Sequence, residues 1–196
     1  MVFLRRDDEG GRRVNGEGVY LRHPELRDFP AWADVRGRSR AFLEPWEPTW
    51  PANELTRSAF KDKLRRYGDD IQADRSYPFY IFRAEDDALV GGATLSRIHR
   101  GSAQSCTLGY WVGEPYKRRG YTRAAVRALI GFAFGDLRLH RIEAACQPDN
   151  GPSRALLLGV GFEEEGRARA YLKINGAWRD HILFGLNAED AVRATA

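Results

Sequence analysis

The stretch GYWVGEPYKRRGYTRAAVRALIGFAFG, residues 109–135, decides the fold, because the spacing of its apolar residues changes midway. Its opening belongs to QSCTLGYWVG (104–113), which has the β-branched and aromatic content of a strand. From Tyr121 onward, Ala125, Ala128, Leu129 and Phe132 fall at i+4, i+7, i+8 and i+11, which is one face of a helix. Val126, Ile130 and Phe134 widen that stripe, so the helix is expected to be covered on more than one side. Upstream, YPFYIFRA (77–84) and LVGGATLSRI (89–98) predict two more strands, joined by links short enough for an antiparallel meander. Downstream, LHRIEAAC (139–146) predicts a strand and a helix follows Asn150, closing at Gly161-Phe162. Segments 162–174 and 179–186 then predict a hairpin that turns at Gly176. A meander followed by a strand-helix-strand unit predicts one α+β domain, with a single mixed, mostly antiparallel sheet flanked by helices.

Nearer the amino terminus the pattern is looser. Residues 1–15 are charged and contain glycine, which predicts a flexible arm, and GVYLRH from Gly18 predicts a first strand. Pro24 opens a helical segment running to about Leu43, and the three prolines of EPWEPTWP (44–51) impose a loop. A second helix is expected from Asn53, as N-cap, to Tyr67, followed by a polar loop over 68–76.

Composition narrows the class of protein. A chain of 196 residues fits one domain of ordinary size, and 43% hydrophobic with 30% charged residues excludes wholesale disorder. The longest nearly uncharged apolar run, ALIGFAFG, falls far short of the ~20 residues of a membrane span, and the first residues lack the pattern of a secretory signal. Cys106 and Cys146 are therefore expected as reduced thiols in a cytoplasmic protein. The excess of 31 basic over 27 acidic residues is too small to declare a nucleic-acid binder.

Part of that charge is concentrated. Lys117, Arg118, Arg119 and Arg123 lie within seven residues at the start of the long helix. A helix amino terminus carries about half a positive charge and unpaired N–H groups, so it favours acids and disfavours cations. An anionic ligand resolves the conflict, with Gly120 letting the backbone approach a phosphate. A solvated basic turn is the plainer alternative, and position directly between strand and helix favours the anion. The spacing matches neither a Walker loop nor a Rossmann fingerprint. Asn150 and Ser153, taken alone, are turn and cap residues.

Taken together, the strand GYWVGEPY, the loop KRRGYT, the strand HRIEA, and N-x-x-S with GF eight residues after Ser153 resemble the GNAT superfamily of acetyl-CoA-dependent N-acetyltransferases. Within it, FLEPWEP (42–48), RGS after the second strand of the meander, and EEEGRARAYLKINGAWRDHILF (163–184) are similar to the RimJ/RimL group, nearer its RimJ side. Members of that group acetylate the N-terminal residue of ribosomal proteins. The similarity covers roughly residues 16–187 and leaves 188–196 as a tail. It implies that Lys117, Arg118, Arg119, Gly120, Tyr121 and Thr122 form the acetyl-CoA phosphate loop. Lys117 stands there for Gln or Arg, Thr122 for Gly or Ala, and Ala124 where a Glu is common. The resemblance further implies that the backbone of Tyr110, Trp111 and Val112 pairs with the pantetheine arm, and that Asn150 and Ser153 lie at the thiol end. The family's frequent phenolic acid falls at Leu157 and the RimL-type base at Leu172, so neither is carried over. A role for Ser153 in protonating the thiolate is.

The expected reaction is direct attack of a neutral amine on the thioester. An α-amine, with a pKa near 7.7–8.0, is roughly a quarter neutral at cytoplasmic pH, against about 0.1% for a lysine side chain, so it better tolerates a missing base. Among carboxylates, Glu47 in the aromatic-proline loop is the first choice for attracting an ammonium or relaying its proton, ahead of Glu114 and Glu143. His140 and His181 read as structural, and no metal-ligand spacing is present. The expected partners are acetyl-CoA and the N-terminal peptide of a ribosomal or other protein, with no membrane, no direct nucleic-acid role, and a monomer or weak dimer. Two alternatives stand beside this reading: a GNAT enzyme for a small-molecule amine, and a catalytically silent module that docks on ribosomal RNA or protein.

Overall fold

The structure, a computed structural model, describes residues 13–193. The chain runs β1 (Val14–Gly16), β2 (Val19–Arg22), α1 (Phe29–Arg38), α2 (Arg40–Leu43), α3 (Arg57–Gln72), β3 (Ser76–Arg83), β4 (Leu89–His99) and β5 (Ser105–Val112). It continues through α4 (Tyr121–Gly131), β6 (Arg141–Cys146), α5 (Gly151–Gly159), β7 (Glu163–Ile174), β8 (Ala177–Asn187) and α6 (Ala188–Arg193). The strands form one sheet in the order β1-β2-β3-β4-β5-β6-β8-β7. Every neighbouring pair is antiparallel except β5 and β6, so the sheet is mixed, as the sequence predicts.

Alternation along the central strands supplies two apolar faces, because successive side chains point to opposite sides of a sheet. Val19, Leu21, Phe79 and Ile81 join Ala125, Val126, Leu129 and Phe132 of α4 in the larger core. Tyr20, Tyr80 and Phe82 face the other way, onto Trp32 and Val35 of α1 and Phe60 of α3. Helix α4, with Leu157 of α5 in the same core, thus backs the sheet, while α1 and α3 cover its front.

Several boundaries differ from the sequence reading, each for a local reason. Val14 is buried and pairs with Leu21, so residues 14 and 15 of the expected arm are strand; residues 1–12 lie outside the described part. Of the expected tail, Ala188–Arg193 is helical, and 194–196 lie outside. The first helical segment opens with a 3₁₀ turn at Leu26–Asp28 and breaks at Ser39. Helix α3 is capped not by Asn53 but by Thr56, whose hydroxyl accepts from Ala59 N–H at 3.2 Å. It also continues through the expected loop to Gln72, because Phe60, Leu64, Tyr67 and Ile71 hold one inward stripe across Gly68. Helix α4 begins at Tyr121 because Arg118 and Gly120 sit in the left-handed region, at φ +60° and +83°. It ends in a π-helical turn, Phe132–Asp136.

Candidate active site

The parallel pair β5 and β6 is short. It holds only from Ser105 opposite Arg141 to Thr107 opposite Glu143, while β5 continues to Val112 along β4. From Leu108 to Val112 one edge of β5 therefore has no strand partner among the described residues, which leaves backbone donors and acceptors for a ligand. Two side chains bridge the parting. Tyr110 Oη lies 2.7 Å from Ser153 Oγ and 3.4 Å from the Ser153 carbonyl oxygen. Ser153 is fixed in turn by Asn150, which caps α5 by accepting the Ser153 N–H at 3.2 Å. Burial pushes the Tyr110 phenol up to about 12, an effect partly offset by its hydrogen bond with Ser153. Burial likewise raises the Cys146 thiol, with the adjacent Ser153 hydroxyl opposing. Tyr110, Asn150 and Ser153, 43 residues apart at their widest, are thus brought together.

The basic loop follows directly. Gly113 packs so closely on α1 that an added Cβ would lie 2.6 Å from Val35 Cγ1, and the Glu114 N–H donates to buried Ser39 Oγ at 2.8 Å. The loop is pinned at its base and its cations are carried outward. Helix α4 has neither a side-chain cap nor an acid in its first turn. Its first internal bond runs from Ala124 N–H to Gly120 O at 3.0 Å, which leaves the N–H groups of Tyr121, Thr122 and Arg123 facing out of the helix end. Arg118, Arg119 and Arg123 are exposed, and Arg123 Nη2 lies beside Gly159 of α5. Lys117 differs from the other three. It pairs with Glu114 at 2.9 Å and lies over the Phe42 ring, so its charge is already engaged.

On the front of the sheet a cavity of about 330 Å³ opens between α1, α3, β4 and β5, with Tyr110 and Trp111 in its wall. Glu47 lines it as expected, but not as a free carboxylate. It accepts two hydrogen bonds from Arg36, each 2.7 Å, and one from Trp50 Nε1 at 2.7 Å. Arg36 is itself buried and stacked between the Trp50 and Trp111 rings at 4.2 and 5.0 Å. Three hydrogen bonds thus tie the Glu47 carboxylate into a strut with Arg36 and Trp50, rather than leaving it a free base in the cavity. The strut is anchored at both ends: Asn175 N–H in the β7–β8 turn donates to Glu47 O at 2.9 Å, and Gln147 Nε2 donates to Pro45 O at 2.8 Å.

The remaining candidates lie elsewhere. Glu143 is exposed and paired with Arg141 at 3.1 Å; His140 is near Glu189, and buried His181 lies 3.1 Å from the Arg179 carbonyl oxygen. Leu157 is a core residue, and Leu172 is on β7. Sequence reasoning missed Arg36, Trp50, Lys63 and Gln147. A buried arginine on the apolar stripe of α1 was the available signal for the first. Among the described residues no group of three or more His, Cys, Asp or Glu could hold a metal, and no helix is long and apolar enough to cross a membrane.

With this geometry in view, comparison with known proteins is informative. The profile of the family described as "Acetyltransferase (GNAT) domain" matches residues 19–163. The chain is 34% identical over 178 residues to the "Probable N-acetyltransferase YjcK" of Bacillus subtilis, covering 90% of this chain and 98% of that one. It is also 34% identical over 167 residues to the "[Ribosomal protein uS5]-alanine N-acetyltransferase" of Escherichia coli, covering 84% and 86%. Among solved structures, Mycobacterium smegmatis RimJ in complex with CoA-disulfide superposes with a TM-score of 0.84 at 35% identity, covering 90% and 88%.

Proposed function

The chain belongs to the GNAT acetyltransferase family, and from that premise we propose that it acetylates the N-terminal α-amine of a protein, with ribosomal proteins the foremost acceptors. That it is an acetyl-CoA-dependent N-acetyltransferase follows from the family and from relatives that carry that activity in their names, which sets aside the silent docking module. The bare, cation-flanked start of α4 carries the cofactor half of the reading. In this proposal its outward N–H groups and Arg118, Arg119 and Thr122 hold the pyrophosphate, and Lys117 joins them by leaving Glu114. The free edge of Tyr110, Trp111 and Val112 takes the pantetheine amides, and Asn150 and Ser153 flank the sulfur.

The acceptor half rests on what the cavity lacks. Its wall carboxylate Glu47 and the neighbouring Glu54 are both paired, with Arg36 and with Lys63 at 2.7 Å, so neither is a ready base. A nucleophile that is already substantially neutral, as an α-amine is, suits such a site better than a lysine side chain. The names of the RimJ and uS5-alanine relatives support the same reading, and with such an acceptor we propose that the protein acts in the cytoplasm. The test is mass spectrometry of intact ribosomal proteins incubated with the enzyme and acetyl-CoA, alongside peptides beginning with Ala or Ser and free amino acids or polyamines. A gain of one acetyl group at an N-terminus supports the proposal; turnover of free amines alone rejects it.

A further inference from the structure

We propose that the bare backbone of β5 at Gly109 is the floor that receives the side chain of the acceptor's first residue, and so sets how large that residue can be. The inference rests on the acetyl-transfer reading above and assigns the selection among N-termini to one position.

A glycine inside a strand weakens it, and commonly marks a bulge, a tight bend, a close backbone contact or the close approach of a ligand. The first three reasons do not apply at Gly109. It pairs in plain register with Thr94, and the shift in the β4–β5 ladder falls elsewhere, between Ser96 and His99. Its φ lies outside the left-handed region, so the backbone there accepts any side chain. A Cβ built on Gly109 meets no atom of the described residues within 4 Å. Neighbouring glycines behave differently. At Gly91 a Cβ would lie 2.4 Å from the Trp111 carbonyl oxygen, and at Gly92 it would lie 2.4 Å from Trp111 Nε1. Packing dictates those two glycines and does not dictate Gly109.

The open space belongs to the acceptor cavity. Side chains alternate across a sheet, so position 109 projects to the same face as Trp111, two residues on, and as its cross-strand neighbour Thr94. All three line the cavity of about 330 Å³. Trp32 of α1 and Phe60 of α3 pack on this same face, yet Gly109 stays exposed on the fifth of eight strands. Gly109 also falls in the part of β5 that has left β6, where the acetyl-transfer reading lays the thioester. An attacking nitrogen must come within about 3 Å of the thioester carbon. Its Cα and Cβ follow one and two bonds behind, so the first side chain of the acceptor is confined to this part of the cavity. Volume taken by a side chain at 109 is then volume denied to the acceptor.

The test uses the full chain with acetyl-CoA and peptides that differ only in their first residue, Gly, Ala, Ser or Thr. It compares kcat/KM for the wild type, Gly109→Ala and Gly109→Val. In Gly109→Val the loss relative to wild type should be smallest for the Gly-initiated peptide and grow by roughly 10-fold or more toward Thr, the scale on which a pocket discriminates single carbon groups. Gly109→Ala should show the same trend with a smaller slope. The melting temperature should hold or rise, because the space is open and a β-branched residue suits a strand. Calorimetric affinity for acetyl-CoA should change far less than the Thr-initiated rate. A loss equal across the series, no loss with any peptide, or a matching loss of acetyl-CoA affinity overturns the inference, the last by placing Gly109 under the cofactor. Should Gly109→Val not fold, Gly109→Ala decides, and a flat response along the series overturns the inference. Wild type that turns over free amines alone overturns the N-terminal acceptor reading itself, whereas peptide turnover with a flat Gly109→Val response overturns only the role of Gly109.

Discussion

Glu47 takes its role from partners rather than from its own chemistry. The carboxylate is about one-fifth exposed and Arg36 is nearly enclosed, so removing one charge strands the other in a poorly solvated place. Glu47→Gln is expected to destabilise the fold by about 2–3 kcal/mol, the penalty of an unpaired, partly buried guanidinium. The acceptor KM should rise with the loosened wall while the KM for acetyl-CoA stays put, as steady-state kinetics and thermal melting can show; an unchanged melting temperature would contradict the strut. Gly92 makes a companion case. A Cβ there would lie 2.4 Å from Trp111 Nε1, so Gly92→Ala must tilt the indole that walls the cavity. Overpacking of this kind costs about 1–3 kcal/mol. Weaker binding of the acceptor peptide with intact calorimetric binding of acetyl-CoA is the expected outcome, and equal loss of both would point to general unfolding. Neither partnership is visible in the sequence: Arg36 and Glu47 are 11 residues apart across a proline-rich loop, and Tyr110 meets Ser153 only because β5 and β6 part. The residue types could be flagged from spacing, but their pairings are products of tertiary packing.

At the scale of single elements, α4 is the most legible, because its stripe and its misplaced cations are local properties of sequence. The same locality makes its prediction sharp. The N–H groups of Tyr121, Thr122 and Arg123 face out of a helix end without a capping side chain, and exposed Arg119 directly precedes it in sequence. Arg119→Glu replaces an attractive charge by a repulsive one there, and acetyl-CoA affinity is expected to fall roughly 30-fold or more, the scale of a lost charge-assisted hydrogen bond plus repulsion. Calorimetry measures it directly, and unchanged affinity would remove the loop from the cofactor site. Helix α3 shows the opposite case. Gly68-Asp69-Asp70 is poor helix material, so reading a loop there followed local propensity. Half-burial of Tyr67 and Ile71, on the same stripe as the core residues Phe60 and Leu64, outweighs the ~1 kcal/mol that glycine costs. The three central strands were legible nearly to the residue because their apolar runs are long and their links short. The cap of α3 was not, since Asn53 and Thr56 are both acceptable caps and only the path of the preceding loop selects between them.

Across the whole molecule, two parts of one sheet are joined through the narrow pairing of β5 with β6, and three of the buried titrating groups, Cys106, Tyr110 and Cys146, lie on those two strands. Cys106, opposite Ile142 in the three-pair register, has its thiol pushed up to about 12 by burial, with Glu143 adding to the effect. Burial is also the main cause that raises Tyr20, Tyr67, Tyr80, Tyr110 and Cys146. A folded pKa above the unfolded one contributes stability that is fully present below the unfolded value, about 8.5 for Cys and 10 for Tyr, and is lost as pH climbs toward the folded value. The melting temperature should therefore fall steeply from about pH 9 upward. On the acid side, Asp74, Asp86, Glu165 and Asp180 are held below the usual carboxylate range, so their contribution is present above about pH 4 and lost below it. All four are largely exposed, so that limb should be shallow. Cys106 alone should account for about 2 kcal/mol of the loss between pH 9 and 11, at 1.36 kcal/mol per unit. Cys106→Ala should melt lower at neutral pH, because it leaves a cavity, yet show a flatter alkaline limb; a limb as steep as wild type would mean the seam does not open through this thiol. Acetyl-CoA bound in the β5–β6 gap would tie the two parts together and should move the alkaline limb to higher pH, by the linkage that stabilises any state a ligand prefers.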